Sequence, residues 1–417
     1  MSTRGAHLVE GDRGFTTGGG LLGRLVAPAF AAVVDSIDKR LETGGIDATL
    51  PGGERRKLGF RALGPTARVD LRSWMALVRL ATSGSVGWYK AWELGEWNSP
   101  DPVPIFELFS ANAVSLGAVG RAKGPARWIN ALAHRLRDNA PTQARANIAA
   151  HYDLGNDFYS AWLDPTMTYS SAWWDRSGAS LADAQQAKVA HLLDRLDLKE
   201  GDRLLEIGCG WGSLAIEAAK RGASVVGLTL STEQKAWAER EIAALGLSDR
   251  IEIRLQDYRD VSEQFDAIAS VEMVEAVGRR WWGAYLDCIA RNLKPSGHAA
   301  LQFIFMRPEL FERYARSADF IQTYIFPGGL LINEREFAAI ARERGLTWQD
   351  RSRDFGQDYA GTLKLWRSNY DAAVDRGKLQ GFSDEFHRLW RYYLMYCEGG
   401  FRGGAIGVAQ VTLAKPA

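Results

Sequence analysis

Seven consecutive residues, Glu206-Ile207-Gly208-Cys209-Gly210-Trp211-Gly212, join an acid to glycines at alternate positions. Glycine at such spacing lets the backbone turn tightly and come close to a ligand where a side chain would collide. The pattern is GxGxG with Glu206 just ahead of it, not the GxGxxG of pyrophosphate binders. Two later positions suit the same kind of ligand. Thr229-Leu230-Ser231, followed by Gln234, offers polar groups for a ribose or for the amino-acid part of a ligand. A dinucleotide enzyme would more often place an acid there. In Gln256-Asp257-Tyr258 the carboxylate can accept from an adenine amino group, the alternative being that Asp257 caps a helix or closes a turn.

The elements that must carry these residues alternate. Strands are expected at 204–207, 224–230, 251–255, 265–271 and 298–305, and helices at 213–221, 232–244 and 281–293. Repeated strand–helix units of this size imply an α/β domain, a doubly wound and mostly parallel sheet covered by helices. Ahead of it, residues 1–20 read as a flexible Gly-rich arm and 21–145 as a smaller α+β domain with a linker helix, leaving 146–417 for the catalytic domain. In the front part a helical pattern runs over 21–41 and β-like pieces surround Pro51-Gly52-Gly53. Residues 74–94 are apolar and aromatic, the prolines of 98–104 demand a loop, and 106–116 is helical again. Trp128, Ile129, Leu132 and Leu136 share one side of a helix rimmed by Arg127, Arg135 and Arg137, which suits either a membrane interface or packing on the second domain.

Composition narrows the class. The chain has 417 residues, 46% hydrophobic and 24% charged, the balance of a folded protein of two or three domains. Its net charge of +1 argues against a dedicated nucleic-acid binder. The charge is uneven: residues 1–150 hold 19 Lys+Arg against 13 Asp+Glu, the remainder 32 against 37. A basic front suits an anionic surface such as membrane lipid. Cys209, Cys288 and Cys397 form no metal-type cluster, and a reducing cytoplasm is the default compartment. No run of 18 apolar residues is present to span a bilayer.

Further strings complete the constellation: 151–159 (HYDLGNDFY), 168–174 (TYSSAWW), 272–278 (EMVEAVG), 324–329 (YIFPGG) and 399–402 (GGFR). With the glycine turn, which is typical of class I S-adenosylmethionine-dependent methyltransferases, they closely resemble the cyclopropane-fatty-acyl-phospholipid synthases and the related mycolic acid methyltransferases. The resemblance runs over residues 145–417 and, more loosely, over 45–120. It implies S-adenosylmethionine as cofactor, an unsaturated membrane phospholipid as substrate, a cytoplasmic enzyme peripheral on the inner face of the membrane, and a possible homodimer. The chemistry implied is methyl transfer to a cis alkene, giving a carbocation that closes to cyclopropane on losing a proton. Such a site must exclude water and place negative or π-rich groups where positive charge develops. The resemblance assigns cofactor contacts to Tyr169, Ser170, Glu206, Gly208, Gly210, Gly212, Thr229, Gln234, Gln256 and Asp257. It matches Glu275 to the carboxylate of the proton-abstracting centre, Tyr359 and the Ile304 backbone to groups that hold a bicarbonate ion there, and Cys397 to an active-site cysteine. As chemistry alone, Cys397 reads equally well as a small buried hydrophobe.

Two departures stand out. Ser171 and Gln302 occupy the places of a cysteine and a histidine at the bicarbonate centre. Neither carries a histidine's positive charge, so an anion would be held less firmly and bicarbonate is doubtful. The fate of the cation is then open between a cyclopropane and a methylene- or methyl-branched chain. A methyltransferase of soluble small molecules and a lipid-binding protein without catalysis are the other two readings.

Overall fold

The computed structural model describes residues 4–9, 27–117 and 154–417. The expected arm over residues 10–20, the amphipathic segment 127–139 and His151 to Asp153 lie outside the described residues. The chain divides into two compact units: Met1–Arg137 with Glu309–Pro327 and Gly381–Ile406, and Asp138–Pro308 with Gly328–Gln380 and Gly407–Ala417. Two segments that the sequence reading gave to the catalytic domain therefore belong to the first unit. The reason is an apolar stripe: the helix Asp384–Arg402 buries Phe386, Leu389, Trp390, Tyr392 and Tyr393.

The first unit holds a four-stranded sheet in the order β2-β1-β3-β4, made of β1 (Gly45–Thr49), β2 (Arg55–Gly59), β3 (Thr66–Leu71) and β4 (Trp97–Asn98). β1 runs antiparallel to β2 across the expected Pro51-Gly52-Gly53 turn and parallel to β3. The helix Met75–Glu93 presents Tyr89 to a cluster formed with Phe320, Tyr324 and Tyr392, ring centroids 4.8–5.0 Å away. The loop expected through Pro104 ends sooner, because the helix Val103–Ala111 accommodates that proline in its first turn, where no intrahelical donor is missing. Asn112 then separates this helix from the short turn Ala113–Leu116, splitting the single helix expected over 106–116.

The second unit is the expected α/β domain. Its seven-stranded sheet has the order β10-β11-β9-β8-β5-β6-β7. The strands are β5 (Arg203–Ile207), β6 (Ser224–Thr229), β7 (Ile251–Leu255), β8 (Phe265–Val271), β9 (Leu293–Met306), β10 (Thr347–Arg351) and β11 (Ile406–Ala414). β5 to β9 pair in parallel, and β10 is antiparallel to β11. Helices Leu181–Asp194 and Ser213–Lys220 cover the sheet through Val189, Leu192, Leu193, Leu214, Ala215 and Ala218. The chain leaves β5 for β6 and β7, then returns to β8 on the other side of β5. Such a reversal opens a crevice at the carboxyl ends of the strands.

Within the first unit, Gly399 and Gly403 lie one turn apart on the helix Asp384–Arg402 and meet the helix Val103–Ala111. A Cβ at Gly399 would stand 2.4 Å from Phe106 Cβ and 2.8 Å from the backbone at Glu107 and Val103. Gly399→Ala is expected to cost about 1–3 kcal/mol through this overpacking, read as a lowered melting temperature. Gly400→Ala, whose Cβ would meet only Ile406 Cδ1 at 3.3 Å, is expected to melt close to the parent.

Candidate active site

β5 ends in the glycine turn. Gly208, Gly210 and Gly212 all have positive φ (83°, 52° and 90°), so each residue of the GxGxG spacing is needed for the path of the chain. A Cβ at Gly208 would press on Met273 and one at Gly212 on Ala238, whereas one at Gly210 would meet nothing within 4 Å. Gly210 thus leaves its backbone open to an approaching ligand. Glu206, 3% exposed, has no hydrogen-bond partner for Oε2 among the described residues, and burial raises its pKa to about 8 against the opposing pull of Lys188. An enclosed carboxyl oxygen beside an open backbone turn is what a polar ligand would satisfy.

The carboxyl ends of β6 and β7 bring their residues to the same edge. Ser231 caps the helix Thr232–Ala244 by accepting from Gln234 N, and Thr229 Oγ1 donates to Gln234 Oε1 at 2.8 Å. Thr229 and Gln234 are therefore one unit. Asp257 caps a short 3₁₀ turn and takes a bidentate pair from Arg259 at 2.8 and 2.7 Å. This is the capping role weighed as the alternative; a carboxylate so engaged still has lone pairs to offer. Gln256 Nε2 donates to Asp260 O at 3.1 Å.

On the near side, the helix Leu181–Asp194 pins the 168–171 segment. Gln185 Nε2 donates to Ser170 O at 2.9 Å, and Lys188 Nζ to Ser170 Oγ at 2.7 Å. Tyr169 stands among Tyr159, Trp162 and Trp366 at 5.3–5.6 Å, an aromatic wall. Asn156 ties this region to the glycine turn by accepting from Trp211 Nε1 at 2.7 Å.

The centre of the site is a residue to which the sequence reading gave no role. Glu272 directly follows β8 with φ +48°, a left-handed conformation unusual for a residue with a side chain. Three donors converge on its carboxylate: Ser171 N at 2.9 Å and Gln302 Nε2 at 2.8 Å on Oε1, and Tyr359 OH at 2.9 Å on Oε2. Glu272 is half-buried as a residue, yet protein encloses its carboxylate, and this desolvation raises its pKa. The donors of Ser171, Gln302 and Tyr359 and the Lys188 charge oppose that rise. Glu275, in the 3₁₀ turn Val274–Ala276, accepts on Oε1 from Ile304 N. Its Oε2 meets no donor among the described residues. Burial first, then the neighbouring Glu272 charge, push its pKa up to about 8. Both carboxyls are thus raised by burial, but Glu272 has three donors and the Lys188 charge to hold its anion, whereas Glu275 is left toward the neutral acid.

This arrangement answers the expectations in part. Tyr359, Ser171, Gln302, Ile304 and Glu275 do come together. Ser171, however, acts through its backbone N–H while its hydroxyl donates to Ala172 O. Ile304 N is taken by Glu275, and the other three donors by Glu272. A bicarbonate ion does not fit: its expected donors are already spent on the carboxyl groups of Glu272 and Glu275. Cys397 belongs to the first unit. Burial, then Asp319, raise its pKa well above the usual thiol range, so it is a neutral thiol there.

Lys188 and Gln410 were missed as well. Each had a signal: a cation on the apolar face of Val189, Leu192 and Leu193, an amide inside the apolar strand β11, and, for Glu272, a second acid three residues ahead of Glu275.

The family model described as mycolic acid cyclopropane synthetase matches residues 139–411. The tuberculostearic acid methyltransferase UfaA1 of Mycobacterium tuberculosis is 38% identical over 81% of this chain and 80% of its own length. The cyclopropane-fatty-acyl-phospholipid synthase of Escherichia coli is 38% identical over 69% of this chain and 75% of its own. Among solved structures, the mycolic acid cyclopropane synthase CmaA1 complexed with SAH and CTAB superposes with a TM-score of 0.61 at 34% identity, covering 65% of this chain and 98% of that one.

The raised pKa of Glu275 has a consequence for stability. Between its ordinary value and about 8, the folded protein keeps a proton on Glu275 that the unfolded chain has released. Stability must fall as pH rises through that window, by up to about 1.4 kcal/mol per pH unit from this group. Glu275→Gln is expected to flatten the decline in melting temperature between pH 5 and 8; an unchanged slope would refute the assignment.

Proposed function

The chain belongs to the mycolic acid cyclopropane synthetase family and is an S-adenosylmethionine-dependent methyltransferase acting on lipid acyl chains; from this premise we propose that it methylates a cis double bond in an acyl chain of a membrane phospholipid and closes it to a cyclopropane, with Glu272 taking the proton. The observation that carries the proton's destination is the convergence of Ser171 N, Gln302 Nε2 and Tyr359 OH on that carboxylate.

S-adenosylmethionine, when bound, supplies an electrophilic methyl group on a sulfonium centre. The Glu206 to Gly212 turn, Thr229, Gln234, Gln256 and Asp257 would hold it from the carboxyl edge of the sheet, and Tyr169 and Ser170 from the facing segment. The alkene π pair would form the new carbon–carbon bond to that methyl group as the sulfur–methyl bond breaks, its electron pair staying on the sulfur of departing S-adenosylhomocysteine, and leave a cation on the neighbouring chain carbon. Aromatic rings at Tyr159, Trp162, Tyr169 and Trp366 keep water away and present π faces. The Glu272 anion supplies the negative potential that the cation needs. It then accepts a proton from the new methyl group, and the freed C–H pair closes the ring. Glu275, held neutral, adds no second charge to compete for that proton.

A second reading keeps every step but the last: loss of the proton from a neighbouring chain carbon leaves a methyl-branched alkene. It is favoured by Ser171 and Gln302 at the centre and by similarity to a tuberculostearic acid methyltransferase. Under either reading the enzyme works from the cytoplasm on the inner membrane face, as a homodimer. The basic balance of residues 1–150 supports the membrane placement. No described helix is long and apolar enough to cross a membrane.

The test is incubation with S-adenosylmethionine and vesicles of a cis-unsaturated phospholipid, followed by mass spectrometry with a double-bond probe. The expected product is one CH₂ heavier and lacks the alkene; an alkene surviving in it selects the second reading. Glu272→Gln is expected to lower product formation by about 10²–10⁴-fold, the usual contribution of a general base, with cofactor binding retained. Full activity in that variant would remove Glu272 from the reaction.

A further inference from the structure

The Gln302 carboxamide has two ends of nearly the same shape, and only one serves the site. With Nε2 toward Glu272 it donates to the carboxylate; turned over, it would set oxygen against oxygen. On the site side Nε2 also lies 3.5 Å from Ser171 O, and the group that fixes the oxygen end lies one residue further out. Gln410, fully buried in β11, donates from Nε2 to Gln302 Oε1 at 3.1 Å and to the Lys188 backbone carbonyl at 3.1 Å. Its own orientation is set by partners that work in one direction only. The Lys188 carbonyl can only accept, and Arg195 Nε, 3.4 Å from Gln410 Oε1, can only donate. The backbone of Gln410 is fixed in turn by Ser352, whose N–H donates to Gln410 O at 2.8 Å and whose hydroxyl accepts from Gln410 N at 3.0 Å.

Read from the outside inward, Arg195 donates to Gln410, Gln410 to Gln302, and Gln302 to Glu272. Both amide dipoles point the same way, from a guanidinium toward a carboxylate, and each polarises the next. Arg195 is anchored at its outer end by Asp350 at 2.6 Å. We propose that Gln410 is a positioning residue for the methyl-transfer reaction: it dictates which end of the Gln302 amide faces Glu272, and so keeps a donor on the carboxylate that receives the proton. This rests on the reading of Glu272 as the proton acceptor. A glutamine within a strand of buried apolar side chains is the polar group least expected there, and a purely structural role would leave the reaction's pH dependence untouched.

The experiment uses the full chain, S-adenosylmethionine and vesicles of dioleoylphosphatidylglycerol, with kcat, KM for the cofactor, the pH profile of kcat and the melting temperature measured for each variant. Gln410→Met keeps the length of the side chain and removes the steering. It is expected to lower kcat about 10–100-fold, the range for a lost hydrogen bond to a charged group, with KM for the cofactor unchanged. Losing a donor raises the pKa of Glu272, so the acidic limb of the profile must move to higher pH. The other titratable groups facing Glu272 (Lys188, Glu275 and Tyr359) are the same in both proteins, so the displacement reports on Glu272.

A double-mutant cycle decides the route. In a Gln302→Leu background, Gln410→Met is expected to cost nothing further, because the amide it steers is gone. Losses that multiply, or a lowered kcat with an unmoved acidic limb, would overturn the proposal. Should Gln410→Met fail to fold, Gln410→Glu takes its place in the cycle, since a carboxylate also cannot donate to Gln302 Oε1. Glu272→Gln is assayed alongside. Activity retained there rejects the role of Glu272 itself; an inactive Glu272→Gln with multiplying losses at Gln302 and Gln410 rejects the present inference alone.

Discussion

An anionic carboxylate shut away from water survives only if the protein replaces its hydration shell with donors. That constraint at Glu272 organises the second unit. The three donors come from the segment before the helix Leu181–Asp194, the middle of β9 and the first turn of the helix Gly356–Asp375, and the buried cation of Lys188 adds its charge. Each of those elements must be in register for the charge to be tolerated. The left-handed backbone at Glu272 fits this picture, because a strained conformation persists where its surroundings over-determine it. It also turns the side chain out of the parallel sheet at the end of β8, beside the strand that carries the glycine turn.

The same centre explains why the pair of acids in 272–275 is divided rather than symmetric. Three donors converge on Glu272, while Glu275 accepts from Ile304 N, in a region where each unit of charge is costly. Burial raises both pKa values, and the donors and the Lys188 charge oppose the rise at Glu272, while the Glu272 charge adds to it at Glu275.

Much of this was legible beforehand. β7 and β8 and the helix Thr232–Ala244 lie where the period of their apolar residues placed them: β7 alternates as a half-buried edge strand, and β8, buried on both faces, reads as a nearly continuous apolar run. Thr229, Gln234 and the glycine turn are legible because tight turns and caps are local. What was not legible is non-local. The role of Glu272 depends on Tyr359, 87 residues away, and that of Gln410 on Gln302, 108 residues away, and no periodicity connects such pairs. Pro104 misled for the opposite reason, since a residue that breaks a helix interior is welcome in its first turn. The division of the chain was misread because Glu309–Pro327 and Gly381–Ile406 follow catalytic-domain sequence yet belong elsewhere.

That return of the chain bears on biosynthesis. Tyr89 and Phe106 emerge early from the ribosome, but the aromatic partners that cover them, Phe320 and Tyr392, are made much later. The amino-terminal unit cannot finish assembling while it is the only part translated, and its half-built face stays uncovered for most of synthesis. Nascent chains of this protein should therefore depend on holding chaperones until the helix Asp384–Arg402 arrives, reversing the usual order in which a leading domain folds before a trailing one.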